Sequence, residues 1–205
     1  TKPTITSSSL YVSPDSPSSI TIAGTNFITV PIVEAINSTT GAITRASAVG
    51  FTNATTLTAT FTLASASYFL RVENNDGNAV RSSSAILSAS TAPAFSTGAG
   101  SIGSVSAGST VALTVSASSD SAVTIAETTS VLTSNSDTPN STMNLTLSGT
   151  PATSATYNIT GTAPSPTGEK TYTFTLSATD AESQVTTREF SITVSVGINN
   201  SGQFN

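Results

Sequence analysis

The sequence predicts an all-β chain built as two tandem antiparallel β-sandwiches. Three observations carry that expectation. Segments of about seven residues alternate apolar and hydroxyl-bearing side chains with a period of two. Gly, Asn, Asp, Ser or Pro bounds each segment, which is the punctuation of short strands and tight turns. One polar stretch without alternation, "SASTAP" at residues 88–93, divides the chain near its middle.

The elements follow in order. "SITIAGTNF" brings Ile20 and Ile22 to one side and ends in Gly24 and Phe27. Gly24 suits a bulge or a close approach of backbone, and Phe27 is a core anchor. "STTGAITRASAVGFTNATTL" places its strands only loosely. "LTATFTL" sets Leu57, Ala59, Phe61 and Leu63 on one face. "YFLRVENNDGNAV" reads as two strands around a tight turn, because Asp76-Gly77 supplies hairpin chemistry. In the second half, "TVALTVSA" aligns Val111, Leu113, Val115 and Ala117. "TYTFTLSATD" aligns Tyr172, Phe174, Leu176 and Ala178 against a hydroxyl face of Thr171, Thr173, Thr175 and Ser177. "FSITVSV" aligns Phe190, Ile192, Val194 and Val196. "SAVTIAETTSVL" is the single helix candidate, and its β-branched content argues against it. One face buried and one wet is the signature of antiparallel sandwiches. The proline of "SASTAP" favours extended backbone before it. The expected organisation is one sandwich over 1–90, a second over 91–197 and a polar tail over 198–205.

On "PTITSSSLYVSPDSP", "SITIAGTNF" and "YFLRVENNDGNAV", the first unit resembles the IPT/TIG family of immunoglobulin-like domains over roughly residues 3–88. The second resembles the cadherin-like, immunoglobulin-like domains common in bacterial surface and phage proteins, over roughly 92–197. "APAF", "YNITGTAP", "YTFTLSATD" and "FSITVSV" carry that likeness. Both resemblances imply immunoglobulin-like sandwiches, and each half has the size for one.

Composition excludes most chemistry. Histidine, cysteine and tryptophan are absent, so the usual neutral-pH base, the thiolate nucleophile, disulfides and zinc sites of nitrogen and sulfur type are missing. Charged residues make up 8% of the chain, and Ser and Thr take their place. The eleven acids are dispersed and no aromatic sugar platform accompanies them, so no catalytic residue is assigned and the chain is not expected to be an enzyme. The six basic residues, Lys2, Arg45, Arg71, Arg81, Lys170 and Arg188, are scattered along a chain of net charge −5. A nucleic-acid partner needs clustered cations and is not expected. No apolar run is long enough to span a bilayer as a helix, and the first residues hold no signal-peptide core.

Ala178-Thr179-Asp180 has the form in which cadherins present a calcium ligand at a strand end. Calcium takes six to eight oxygens from several convergent carboxylates. Here only Glu182 is near Asp180 in sequence, Asp120 and Asp137 stand alone, and "SASTAP" carries no acid. Asp180 is therefore expected to cap a turn, with no metal and no cofactor bound. "ENNDGNAV" lacks the distal glutamate of an EF-hand and reads as a hairpin. The Asn-x-Ser/Thr triplets at Asn37, Asn53, Asn140, Asn144, Asn158 and Asn199 are expected by chance in so Asn-, Ser- and Thr-rich a chain. A lysine–asparagine isopeptide bond needs a buried lysine, which neither Lys2 nor Lys170 is placed to supply.

The resulting expectation is a non-enzymatic structural protein of a bacteriophage virion surface: a decoration, fibre or tail-surface subunit. The lack of an export signal and the opening Thr, compatible with Met removal, favour that setting. The alternatives are a bacterial cell-surface or pilus-like adhesion module, or a carbohydrate-binding module. Partners would be further copies or other virion proteins, or a host-surface glycan or protein, with the partner-binding residues unassigned. Contacts are expected through neutral Ser/Thr faces and so to respond little to salt.

Overall fold

A computed structural model describes residues 1–134 and 141–197. Asp137, the triplets at Asn140 and Asn199, and the tail 198–205 lie outside the described residues. The chain divides into two compact units, Thr1–Thr91 and Ala92–Asn205. Among the described residues there are strands and turns and no helix.

Unit 1 is a sandwich of two sheets. The first is built from β1 (Thr4–Ile5), β3 (Ser18–Thr25), β6 (Ala48–Asn53) and β7 (Thr56–Phe61), in the order β1-β3-β7-β6. The second holds β2 (Leu10–Val12), β4 (Ile32–Asn37), β5 (Ile43–Arg45), β8 (Ala66–Glu73), β9 (Ala79–Arg81) and β10 (Leu87–Ala89). Its order is β2-β10-β8-β4-β5, with β9 also on β8. Period-two alternation buries Ile20 and Ile22 of β3, Leu57, Ala59 and Phe61 of β7, Val33 and Ala35 of β4, and Tyr68, Leu70 and Val72 of β8 in one core. Tyr68 Oη donates to the Ala64 carbonyl at 2.8 Å and fixes the entry into β8. Gly24 is a close approach: a Cβ there would lie 2.0 Å from the Thr4 carbonyl oxygen and 2.4 Å from Phe27 Cζ. The "NNDGN" segment turns β8 into β9, with Gly77 at φ 79° and the Asn74 amide bonded to the Asn78 carbonyl. Buried Asn74 also accepts from Ile28 N and donates to the Asn26 carbonyl, so the hairpin and the segment after β3 are tied together.

Unit 2 contains β11 (Ala94–Phe95), β12 (Gly100–Ser106), β13 (Thr110–Glu127), β14 (Thr146–Gly149), β15 (Ala152–Thr162), β16 (Lys170–Thr179) and β17 (Val185–Ser195). The 18-residue β13 joins both faces: its first half pairs with β15 and its last four residues with β16. A register shift between Ser118 and Val123 lets one strand change sheets. The segment "SAVTIAETTSVL" is thus strand up to Glu127, not helix. Its Val123 and Ile125 are buried in the alternation of the sheet. After Glu127 the chain turns. The Glu127 carboxylate accepts from the backbone amides of Val131, Leu132 and Thr133, which seats Leu132 in the core. Burial alone would raise its pKa, but these bonds together hold it below the ordinary glutamate value.

Tyr172, Phe174, Leu176 and Ala178 are all buried, as are Phe190, Ile192 and Val194. Val196 lies just past the end of β17 and is 36% exposed, and Leu113 is only partly buried. Phe190 meets Phe95 edge-on at 5.4 Å between ring centroids. In each unit an early strand runs parallel to a late one, β2 with β10 and β12 with β17.

Candidate interaction surface

The outward side of the second sheet of unit 1 is unlike the hydroxyl faces elsewhere. Residues alternating with the buried Val33, Ala35, Tyr68, Leu70 and Val72 must point away from the core. These are Ile36 and Glu34 of β4, and Phe69, Arg71 and Glu73 of β8. The register then assembles two rows across the strands. One row is Ile43, Ile36 and Phe69, and the next is Arg45, Glu34, Arg71 and Arg81. Arg71 is held on both sides, by Glu34 at 2.7 Å and by Glu73. The hydrogen bonds it donates, to Glu34 first and then to Glu73, raise its pKa above the ordinary arginine value. Arg81 lies over the Phe69 ring, 4.5 Å from its centroid.

Three of the six basic residues therefore share one face, where sequence order scatters them. Three Arg less two Glu gives this face +1, so the remaining chain carries −6 of the total −5. Ile43 on the edge strand β5 is 62% exposed. Arginine, an aromatic ring and exposed isoleucine on one open sheet are the residue types that anchor protein contacts. Which strands lie adjacent on this sheet is not readable from the sequence, because pairing partners leave no mark in the alternation.

Unit 2 holds the opposite charge. Asp120, Asp180 and Glu182 present carboxylate oxygens within 4.8 Å of one another. This corrects the expectation that Asp120 stands alone. The register shift in β13 carries Asp120 to the β16–β17 turn, about 60 residues away in sequence. The turn itself is built by Asp180, which is buried. Its Oδ1 accepts from Gln184 N at 2.7 Å and its Oδ2 from Gln184 Nε2 at 3.3 Å. Its backbone amide bonds the Gln184 carbonyl, and Ser183 takes the left-handed conformation at φ 69°. Ser121 donates to Glu182 and accepts from Ala181 N at 3.2 Å, which ties the turn to β13. Three carboxylates could hold a cation, but calcium needs about six to eight oxygens and both Asp180 oxygens already serve the turn. Val185, 56% exposed, stands at the same tip.

No protein-family model matches the chain, and no curated protein matches it. Solved structures do. The extracellular domains 3–5 of Drosophila OTK align with 92% of this chain and 59% of theirs, at 15% identity and TM-score 0.51. The fold is a tandem of immunoglobulin-like sandwiches. Titin domains Z1Z2 in complex with telethonin align over 96% of this chain and 98% of theirs, at 19% identity and TM-score 0.34. The BIgI domain of the beta protein from S. agalactiae, bound to CEACAM1, aligns over 47% of this chain and 90% of its own, at 27% identity and TM-score 0.34. The chain spans about three-fifths of the OTK fragment, and at these identities the likeness is one of fold.

Proposed function

We propose that this chain is a non-enzymatic contact protein of an extracellular surface, and that the charged face of unit 1, in place of the neutral Ser/Thr faces expected from the sequence, is its principal contact. The observation that carries the reading is the gathering of Arg45, Arg71, Arg81, Phe69 and Ile43 on one open sheet. A chain with 8% charged residues does not concentrate five of its seventeen charges there for solubility, since its other faces manage with hydroxyls. The absence of histidine and cysteine supports the same reading. Within it, we place the chain on a bacteriophage virion surface, as a decoration, fibre or tail-surface subunit. Support comes from the likeness of unit 1 to IPT/TIG domains and of unit 2 to cadherin-like domains of phage and bacterial surface proteins. A bacterial cell-surface module is the alternative that the same likeness names.

A photo-crosslinking amino acid at position 69, compared with one at position 173 on a hydroxyl face of unit 2, tests this on the native particle or cell envelope. Cross-links to protein should concentrate at 69. Equal or greater yield at 173 would overturn the assignment of the contact face.

A further inference from the structure

We infer that the partner of the unit 1 face is the acidic turn of unit 2 in a second copy of this chain; this rests on the contact-face reading above. Two independent properties match. The first is charge. The face carries +1 in a chain whose remainder carries −6, and Asp120, Asp180 and Glu182 crowd within 4.8 Å at one tip. Arg71 is already paired with Glu34 and Glu73, so the guanidiniums that answer those carboxylates are Arg45 and Arg81. Carboxylates this close repel one another, and a planar guanidinium that meets two oxygens at once relieves that repulsion.

The second property is apolar. Among the described residues, the two most exposed large hydrophobic side chains are Ile43, at 62%, and Val185, at 56%. Ile43 is two residues from Arg45 on β5, and Val185 is three residues from Glu182 at the end of the turn. Each exposed aliphatic group thus stands beside a charge of the sign opposite to the other's. Docking the turn on the sheet buries Val185 against the Ile43–Ile36–Phe69 row and sets Asp120 and Glu182 against Arg45 and Arg81. Asp180 stays inside its own turn. The contact is heterologous, face to tip. Every bound copy therefore still offers one face and one tip, and the assembly grows into a ring or an open chain.

Sedimentation velocity on the full chain tests this, with reversed charges that leave Asp180 in place. One variant carries Arg45→Glu and Arg81→Glu, the other Asp120→Lys and Glu182→Lys. The wild type should grow in size with concentration at low salt and lose that growth at high salt. Each variant alone should weaken association at least about tenfold. Their equimolar mixture should assemble again, because reversed face meets reversed tip and the native face and tip of the two variants also meet. Circular dichroism melts establish that each variant is folded. If Lys at 182 disturbs the turn, Asp120→Asn with Glu182→Gln replaces it and should still weaken association. A wild type that remains monomeric at low salt, or a mixture that fails to assemble, overturns the inference. Cross-links from position 69 to other proteins, without self-association, would overturn the second-copy partner and leave the contact face standing.

Discussion

Two tyrosines enter their strands in comparable settings and differ in one bond. Tyr68 lies near the start of β8 in unit 1 and Tyr172 near the start of β16 in unit 2. Both rings are buried, at 4% and 2% exposure. The Tyr68 hydroxyl donates to Ala64 O at 2.8 Å, whereas Tyr172 Oη is buried with no hydrogen-bond partner. Replacing either residue by Phe removes one oxygen and leaves the ring. For Tyr68→Phe the loss is a made hydrogen bond, worth about 0.5–1.5 kcal/mol. For Tyr172→Phe the oxygen removed was desolvated without compensation, a burial that costs about 1–3 kcal/mol in mutational data. The net change there should be neutral or a gain of up to about 1 kcal/mol. In a unit of this size 1 kcal/mol moves the melting point by about 4–8 °C. Differential scanning calorimetry can follow each unit's transition in each variant. The pH dependence supplies a second arm. Burial raises the Tyr172 pKa above its ordinary value. Between the unfolded and folded values the native state holds a proton that the unfolded chain has released. Stability is then full below about pH 10 and falls as pH rises beyond it. Tyr172→Phe should flatten that alkaline decline. A destabilisation by Tyr172→Phe as large as that of Tyr68→Phe would refute the reasoning.

Further outcomes follow from packing. Phe174→Ala should cost about 3–5 kcal/mol in a denaturant melt, and Thr173→Ala on the wet face less than about 0.5 kcal/mol, because the first empties a core position 1% exposed. Gly24→Ala should cost about 1–3 kcal/mol, read in the unit 1 transition, since its Cβ would lie 2.0 Å from the Thr4 carbonyl oxygen. Asp180→Asn should destabilise unit 2 equally in calcium and in chelator, because Asp180 serves Gln184. A melting point that rises with calcium in the wild type and not in Asp180→Asn would show a metal role instead.

Much of the fold was legible because burial in a sandwich enforces a period of two. "TYTFTLSA" and "LTATFTL" declare their inward residues whatever they pair with. The hairpin at "NNDGN" was legible because Asn/Asp-Gly chemistry is local. The turn at Asp180 was legible for the same reason, and its amide bonds lie within four residues. The last part of β13 was less so: residues 121–127 carry a weak helical spacing, and pairing of their end with β16 makes them strand.

By itself the sequence determined that the chain is all-β, which side of most of its regular strands faces inward, and that it lacks the residue types of common catalysis. These depend on composition and on neighbours along the chain. Only the tertiary structure decided where the charges meet. Arg45, Arg71 and Arg81 are spread over 37 residues, and β4 and β8 become neighbours only through the register Glu34↔Arg71. Asp120 reaches Glu182 only because β13 shifts register as it changes sheets. An open face and an acidic tip arise from cross-strand pairing between residues far apart in the chain, and pairing partners leave no mark in a period of two.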